Sequence, residues 1–302
     1  MVASSRVLSL LALCGFVLAT ANLGATFLLK SGNPKDGRAA APPDFQDCSD
    51  CHDQFAVGSG GGTLVIAGPN GSYTPGAVYP MTVTIDRPGS WRWGFEIVAL
   101  DHLGNSAGLL TPVDNNTQVS VRNGITYLKQ TSAGTFNGHG GPVTWNFQWT
   151  APAAGTGPVR FYASSVAGDA NFSSSGDYVY DAAYALAEGA GDASVTVQPY
   201  NTTPRQGSTW TVPVFVTNSS GGQNQVYLVT RVDLGNGRFY PSTGWLSGPT
   251  LVDLPAGANQ RIELTHTIPA TAPLITASYQ AIVGRPPGTL VDLDSFSFTI
   301  TP

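Results

Sequence analysis

Short runs that alternate apolar and polar residues, each closed by a turn signal, limit what this chain can fold into. In Trp145-Asn146-Phe147-Gln148-Trp149 the three rings fall on one face of an extended strand, and in Tyr79-Pro80-Met81-Thr82-Val83-Thr84-Ile85 the apolar set does the same, because side chains two residues apart share a face of a β-strand. Both runs read as core faces rather than ligand platforms. The 36 Gly and 22 Pro among 302 residues, with turns such as Asp114-Asn115-Asn116 and Gly235-Asn236-Gly237, punctuate further runs of this kind, and no long helical periodicity follows the N-terminal segment. The expected fold class is all-β, as two consecutive β-sandwich domains after an N-terminal signal or anchor segment.

Strands are expected upstream at Thr63-Leu64-Val65-Ile66, Tyr79 to Ile85, Gly94 to Leu100, Gln118 to Val121, Thr144 to Trp149 and Val159 to Ala163. Downstream they are expected at Ser194-Val195-Thr196-Val197, Thr209 to Thr217, Gln225 to Leu234, Arg261 to Ile268, Ala277 to Gly284 and Ser295 to Thr301. The small residues of Ala187-Glu188-Gly189-Ala190-Gly191-Asp192 separate the two blocks. The division expected is a linker over 22–45, a first sandwich over 46–186, a second linker over 187–193 and a second sandwich over 194–302.

The first residues carry an export signal. Met1 to Arg6 hold one positive charge, Val7 to Ala19 are apolar, and Ala19-Thr20-Ala21 is a small-x-small cleavage site, so 1–21 reads as a secretory signal peptide. Apolar character continues to Leu29, and 7–29 is long enough to span a bilayer as an uncleaved anchor. Either reading gives an exported protein, periplasmic or at the cell surface. Cys14 lies inside this apolar run and has no role in the mature chain. A net charge of −5 without any Lys/Arg cluster argues against nucleic acid as a partner, and the lack of a second apolar span argues against a polytopic membrane protein.

With Cys14 set aside, the remaining cysteines lie in Cys48-Ser49-Asp50-Cys51-His52. A CxxCH run lets two thiols add to the vinyl groups of one haem while the imidazole takes the proximal face of the iron, giving a covalent haem c on Cys48, Cys51 and His52. The same spacing serves a redox dithiol, a disulfide or half of a zinc site. No second Cys pair completes a zinc site, and the Ala/Pro and Gly-rich flanks are unlike the strand–helix context of a redox motif.

The first block resembles the reelin-type β-sandwich of bacterial surface proteins, the choice-of-anchor V group. The resemblance covers roughly Ser31 to Tyr180. It is carried by Ser31-Gly32-Asn33-Pro34 before the CxxCH, Tyr73-Thr74-Pro75-Gly76, Trp93-Gly94-Phe95-Glu96-Ile97, Thr131-Ser132-Ala133-Gly134-Thr135, Trp145 to Pro152 and Ser175-Gly176-Asp177-Tyr178-Val179-Tyr180. It implies the sandwich fold and, through the CxxCH, haem attachment at Cys48 and Cys51 with His52 proximal. The second block is similar to bacterial immunoglobulin-like repeats through Val214-Phe215-Val216-Thr217-Asn218, Leu254-Pro255-Ala256-Gly257 and Asp292-Leu293-Asp294-Ser295-Phe296-Ser297-Phe298. That likeness implies a spacer or adhesion module, with cell-surface components as partners.

A bound haem needs a sixth ligand or an open face. The candidates are His139, in the glycine-rich loop Phe136-Asn137-Gly138-His139-Gly140-Gly141, then His102, with Met81 and His266 behind them. The family pattern places a histidine just before Thr131, where this chain has Gln130. No charged distal pair suits peroxide chemistry, so the chain is not expected to be an enzyme. The leading expectation is an exported monohaem cytochrome-like protein that passes electrons to a redox partner protein or an extracellular acceptor. The alternative is a non-redox structural or adhesive surface protein with a Cys48–Cys51 disulfide. Asp169, Asn171 and Asp177 offer cation ligands but also form turns; Asp292 and Asp294 read the same way; and His266, within strand alternation, reads as structural.

Overall fold

The computed structural model describes residues 32–189 and 192–302, so the expected signal or anchor segment lies outside the described residues. The first sandwich comprises β1 (Thr63–Ala67), β2 (Ser72–Tyr73), β3 (Val78–Asp86), β4 (Arg92–Leu100), β5 (Leu109–Pro112), β6 (Thr117–Arg122), β7 (Ile125–Gln130), β8 (Val143–Thr150), β9 (Val159–Gly168) and β10 (Tyr178–Glu188). One sheet runs β1-β3-β8-β5 and the other β2-β10-β9-β4-β7-β6. All pairings are antiparallel except that of β2 with β10.

The alternating runs do what their period requires. Trp145, Phe147 and Trp149 of β8 and Met81, Val83 and Ile85 of β3 are buried against Trp93, Phe95 and Ile97 of β4 and Phe161 of β9. Trp145 stacks on Phe95 with ring centroids 4.3 Å apart. The indole N–H of Trp145 donates to Gly134 O at 2.8 Å and that of Trp149 to Ala107 O at 2.9 Å, so neither ring leaves a buried donor unpaired.

The second sandwich comprises β11 (Ala193–Val197), β12 (Thr209–Asn218), β13 (Asn224–Asp233), β14 (Phe239–Tyr240), β15 (Ser247–Leu254), β16 (Asn259–Thr267), β17 (Thr276–Arg285) and β18 (Thr289–Thr299). One sheet is β11-β12-β16; in the other β13 joins β17 and β18 and also pairs with β14 and β15. Trp210 packs among Tyr279, Phe296 and Phe298 in its core. His266, buried, shares a 2.8 Å hydrogen bond with the Tyr279 hydroxyl, and burial lowers its pKa. It is a structural side chain, as its alternation suggested, with a partner the sequence did not reveal.

Strands β4, β9 and β10 are buried along nearly their whole length, on both faces. One face is the sandwich core. The other is covered by the N-terminal segment and by the second sandwich, so these strands lack polar alternation. One hydrophobic cluster contains Ala39 and Phe45 of that segment, Val98, Leu100, Tyr162 and Ala183 of the first sandwich and the core of the second. Asp292 and Asp294 do not form a turn, as expected, but lie within β18. Asp292 Oδ2 accepts the N–H of Val195 and Asp294 Oδ2 that of Val197, both at 2.9 Å. The buried Arg160 of β9 reaches the same carboxylates at 3.3 and 3.8 Å and donates to Val195 O at 3.2 Å. Burial pushes both aspartates up and the guanidinium opposes that shift.

Candidate functional site

The CxxCH run forms one tight turn laid on the outer face of the six-stranded sheet. Asp47 caps a 3₁₀ turn over Cys48–Asp50 by accepting the Ser49 N–H at 2.6 Å, and the N–H groups of Cys51 and His52 both donate to Cys48 O. Cys48 N–H donates to Ser164 Oγ of β9 at 3.2 Å, which pins the turn to the sheet. His52 Nδ1 lies 2.7 Å from Oδ2 of the buried Asp177, just before β10. Phe55 stacks on Tyr178 at 4.1 Å, and the Arg87 guanidinium sits over the same ring at 3.6 Å.

The chain leading to this turn is tied down just as closely. Asp36 pairs with Lys129 of β7 and accepts from Ser120 Oγ; these groups outweigh its partial burial and lower its pKa. The backbone N–H of Arg38 donates to Glu96 Oε2, its Nη1 to Gln46 Oε1 at 2.5 Å, and its Nη2 meets Asp50 at 2.7 Å. Glu96 is 1% exposed, and burial pushes its carboxyl up to about 7. Asp47 and Asp181 are also buried, as a hydrogen-bonded acidic pair. Burial raises both, and the neighbouring Asp47 charge helps to push Asp181 well above the carboxylate range.

Between this segment and the sheet lies a cavity of about 610 Å³, lined by Cys48, Cys51 and His52 from the turn, Gly94 and Glu96 from β4 and Val166 from β9, among others. Both cysteines are free thiols in the structure, Cys51 exposed and Cys48 partly covered, so the Cys48–Cys51 disulfide of the alternative expectation is not formed. Burial pushes the Cys48 thiol well up, so it stays protonated and is a poor nucleophile and ligand.

The expected distal ligands are not gathered here. Met81 is buried in the first sandwich core. His102 is exposed in the turn between Asp101 and Asn105, His139 is exposed in the loop before β8, and His266 is buried in the second sandwich. None of the four lines the cavity. In the loop before β10, Asp169 accepts from Asn171, while Asp177 serves His52 and the Asp169 N–H, so these residues act as turn formers and as a histidine partner. Sequence reasoning missed Glu96, Arg38, Asp47 and Asp181. The available signal was a single acidic residue in each of two otherwise apolar strands, Trp93 to Leu100 and Val179 to Leu186.

Among the described residues no three His, Cys, Asp or Glu side chains converge in a way that holds a metal ion, and no helix is long and apolar enough to cross a membrane. No family model and no curated protein matches the chain. Its structural neighbours include the reeler domain of human F-spondin, with 22% identity and a TM-score of 0.32 over 42% of this chain and 89% of that one. The Reelin-N domain of F-spondin is similar at 26% identity and a TM-score of 0.32, over 42% of this chain and 86% of that one. None of the expected sixth ligands lies beside His52, and among the described residues no three His, Cys, Asp or Glu side chains converge, so the expectation of a haem-binding, electron-transferring cytochrome is corrected.

Proposed function

We propose that the chain is an exported, non-redox structural or adhesive surface protein, in which a reelin-like sandwich and an immunoglobulin-like sandwich act as one stiff unit that presents its C-terminal domain to cell-surface components. The observation that carries this reading is the hydrophobic cluster common to the N-terminal segment and both sandwiches, reinforced by the buried Arg160 with Asp292 and Asp294. A hinge between the sandwiches would expose that cluster and leave those charges unpaired. The N-terminal apolar run supports export.

The adhesive part of the reading rests on exposed large side chains of the second sandwich. Tyr227 of β13 sits opposite Leu251 of β15, both exposed, and the chain between β13 and β15 exposes Tyr240 and Trp245. Exposed aromatic side chains of this kind are characteristic of contact surfaces. The test is binding of the labelled protein to intact cells of its own source. Binding that falls several-fold in a Tyr240→Ala/Trp245→Ala double variant supports the adhesive role, and unchanged binding rejects this surface as the contact.

A further inference from the structure

An edge strand leaves one row of backbone N–H and C=O groups unpaired, and folded proteins blunt such edges with short strands, proline, charge or cover. Every other edge strand of the described sheets is blunted in this way. β2 and β14 are two residues long, β5 ends on Pro112, and β15 carries Pro249. β6 carries Arg122 and is overlain by the N-terminal segment at Asp36, while β16 carries Arg261 and Glu263. β11 and β18 cover one another through Asp292 and Asp294. β1 has none of these devices. Thr63-Leu64-Val65-Ile66-Ala67 holds no charge and no proline, pairs with β3 along its whole length, and makes no backbone hydrogen bond on its outer side among the described residues. Val65 is 52% exposed.

All five residues of β1 line a cavity of about 600 Å³, to which the second sandwich contributes Phe215 of β12 and Asn259, Arg261 and Glu263 of β16. Arg261 and Glu263 pair with one another at 2.9 Å, so the charges on this lining cancel. An edge of five residues is about 17 Å long, too short to supply the roughly 800 Å² per partner that a stable interface between folded chains buries. A single extended peptide matches it in length, in charge and in the spacing of its backbone groups.

We propose that β1 is a docking edge for an uncharged extended segment of a partner protein, which joins the four-stranded sheet as a fifth strand in the groove between the sandwiches. Affinity comes from main-chain hydrogen bonds to β1, so the segment is recognised by its extended, uncharged and proline-free character rather than by one side chain. The contact is separate from Tyr240 and Trp245, and it stands or falls apart from the adhesive role.

The test is a fluorescence-anisotropy titration of the full exported chain with a labelled, end-capped Thr-Val-Thr-Val-Thr-Val peptide, whose residues favour strands. The control is the same peptide N-methylated at every residue, which keeps the side chains and removes the donors. The first peptide should bind saturably at one molecule per chain, slow amide hydrogen exchange at Thr63 to Ala67, and bind at least about tenfold more tightly than the methylated one. Val65→Lys combined with Ala67→Lys, which charges two exposed positions of the edge, should weaken binding about tenfold. The methylated peptide and the exchange carry the test if this variant does not fold by circular dichroism. Equal binding of the two peptides, unchanged exchange at Thr63 to Ala67, or no saturable binding overturns the proposal. Dimerisation of the free chain that protects the same amides also overturns it, by making a second copy the occupant.

Discussion

Phe45, on the segment ahead of the CxxCH turn, packs edge-on against Phe296 of β18, with ring centroids 5.7 Å apart. A residue of the N-terminal segment therefore closes the core of the second sandwich, although more than two hundred residues separate the pair. The segment is a strap: Asp36, Arg38 and His52 fasten it to the first sandwich, and Phe45 fastens it to the second.

Phe45→Ala should cost about 3 kcal/mol, the usual loss for removing a buried phenylalanine. Chemical denaturation measures the loss. Limited proteolysis adds a second readout: the variant should be cut between Arg38 and Cys48 under conditions that leave the parent intact.

Arg160→Met leaves Asp292 and Asp294 facing each other in a largely buried site without their cation. The expected loss is about 3 kcal/mol, since removing one partner leaves uncompensated buried charge. Combining it with Asp292→Asn and Asp294→Asn should recover much of that loss, because the amide oxygens still accept the Val195 and Val197 N–H groups.

Stability should fall as pH rises past the carboxylate range. The folded-state pKa of Glu96 is raised from 4.5 to about 7, so between these values the folded chain holds a proton that the unfolded chain releases. The stabilising effect is complete below about 4.5, declines toward about 7 and is gone above it. For this nearly fully buried group the effect is about 3 kcal/mol. Glu96→Gln removes it, and the difference between parent and variant in urea midpoints from pH 4 to pH 8 isolates Glu96 from Asp47 and Asp181, which shift in the same direction.

The two thiols should differ in reactivity. Cys51 is exposed, whereas Cys48 is covered and its thiol is held protonated. Iodoacetamide at neutral pH should modify Cys51 at least about tenfold faster than Cys48, because only the thiolate attacks. Peptide mass spectrometry of a time course reads both rates.

Much of the fold was legible because strand period and burial agree wherever one face meets water: β3 and β8 show their alternation openly, and their rings are core. Strand β10 was missed because both of its faces are covered, which leaves an apolar, alanine-rich run without period. The short β5 ends on Pro112, and β15 carries Gly248 and Pro249, which read as turn signals. At the site, the Cys48–His52 turn was visible as a motif, but its surroundings were not. Asp177, Glu96 and Ser164 reach it across 125, 58 and 116 residues of sequence from His52, Arg38 and Cys48. No local pattern encodes such pairings, and the motif alone suggested chemistry that the surrounding ligands do not complete.

The most direct test of the non-redox account is the visible absorption spectrum, with intact mass, of the full chain exported from a host that has the machinery for covalent haem attachment. The account predicts a colourless protein with the mass of the polypeptide alone and no redox wave in voltammetry. A Soret band that survives denaturation, with added mass on Cys48 and Cys51, would contradict it.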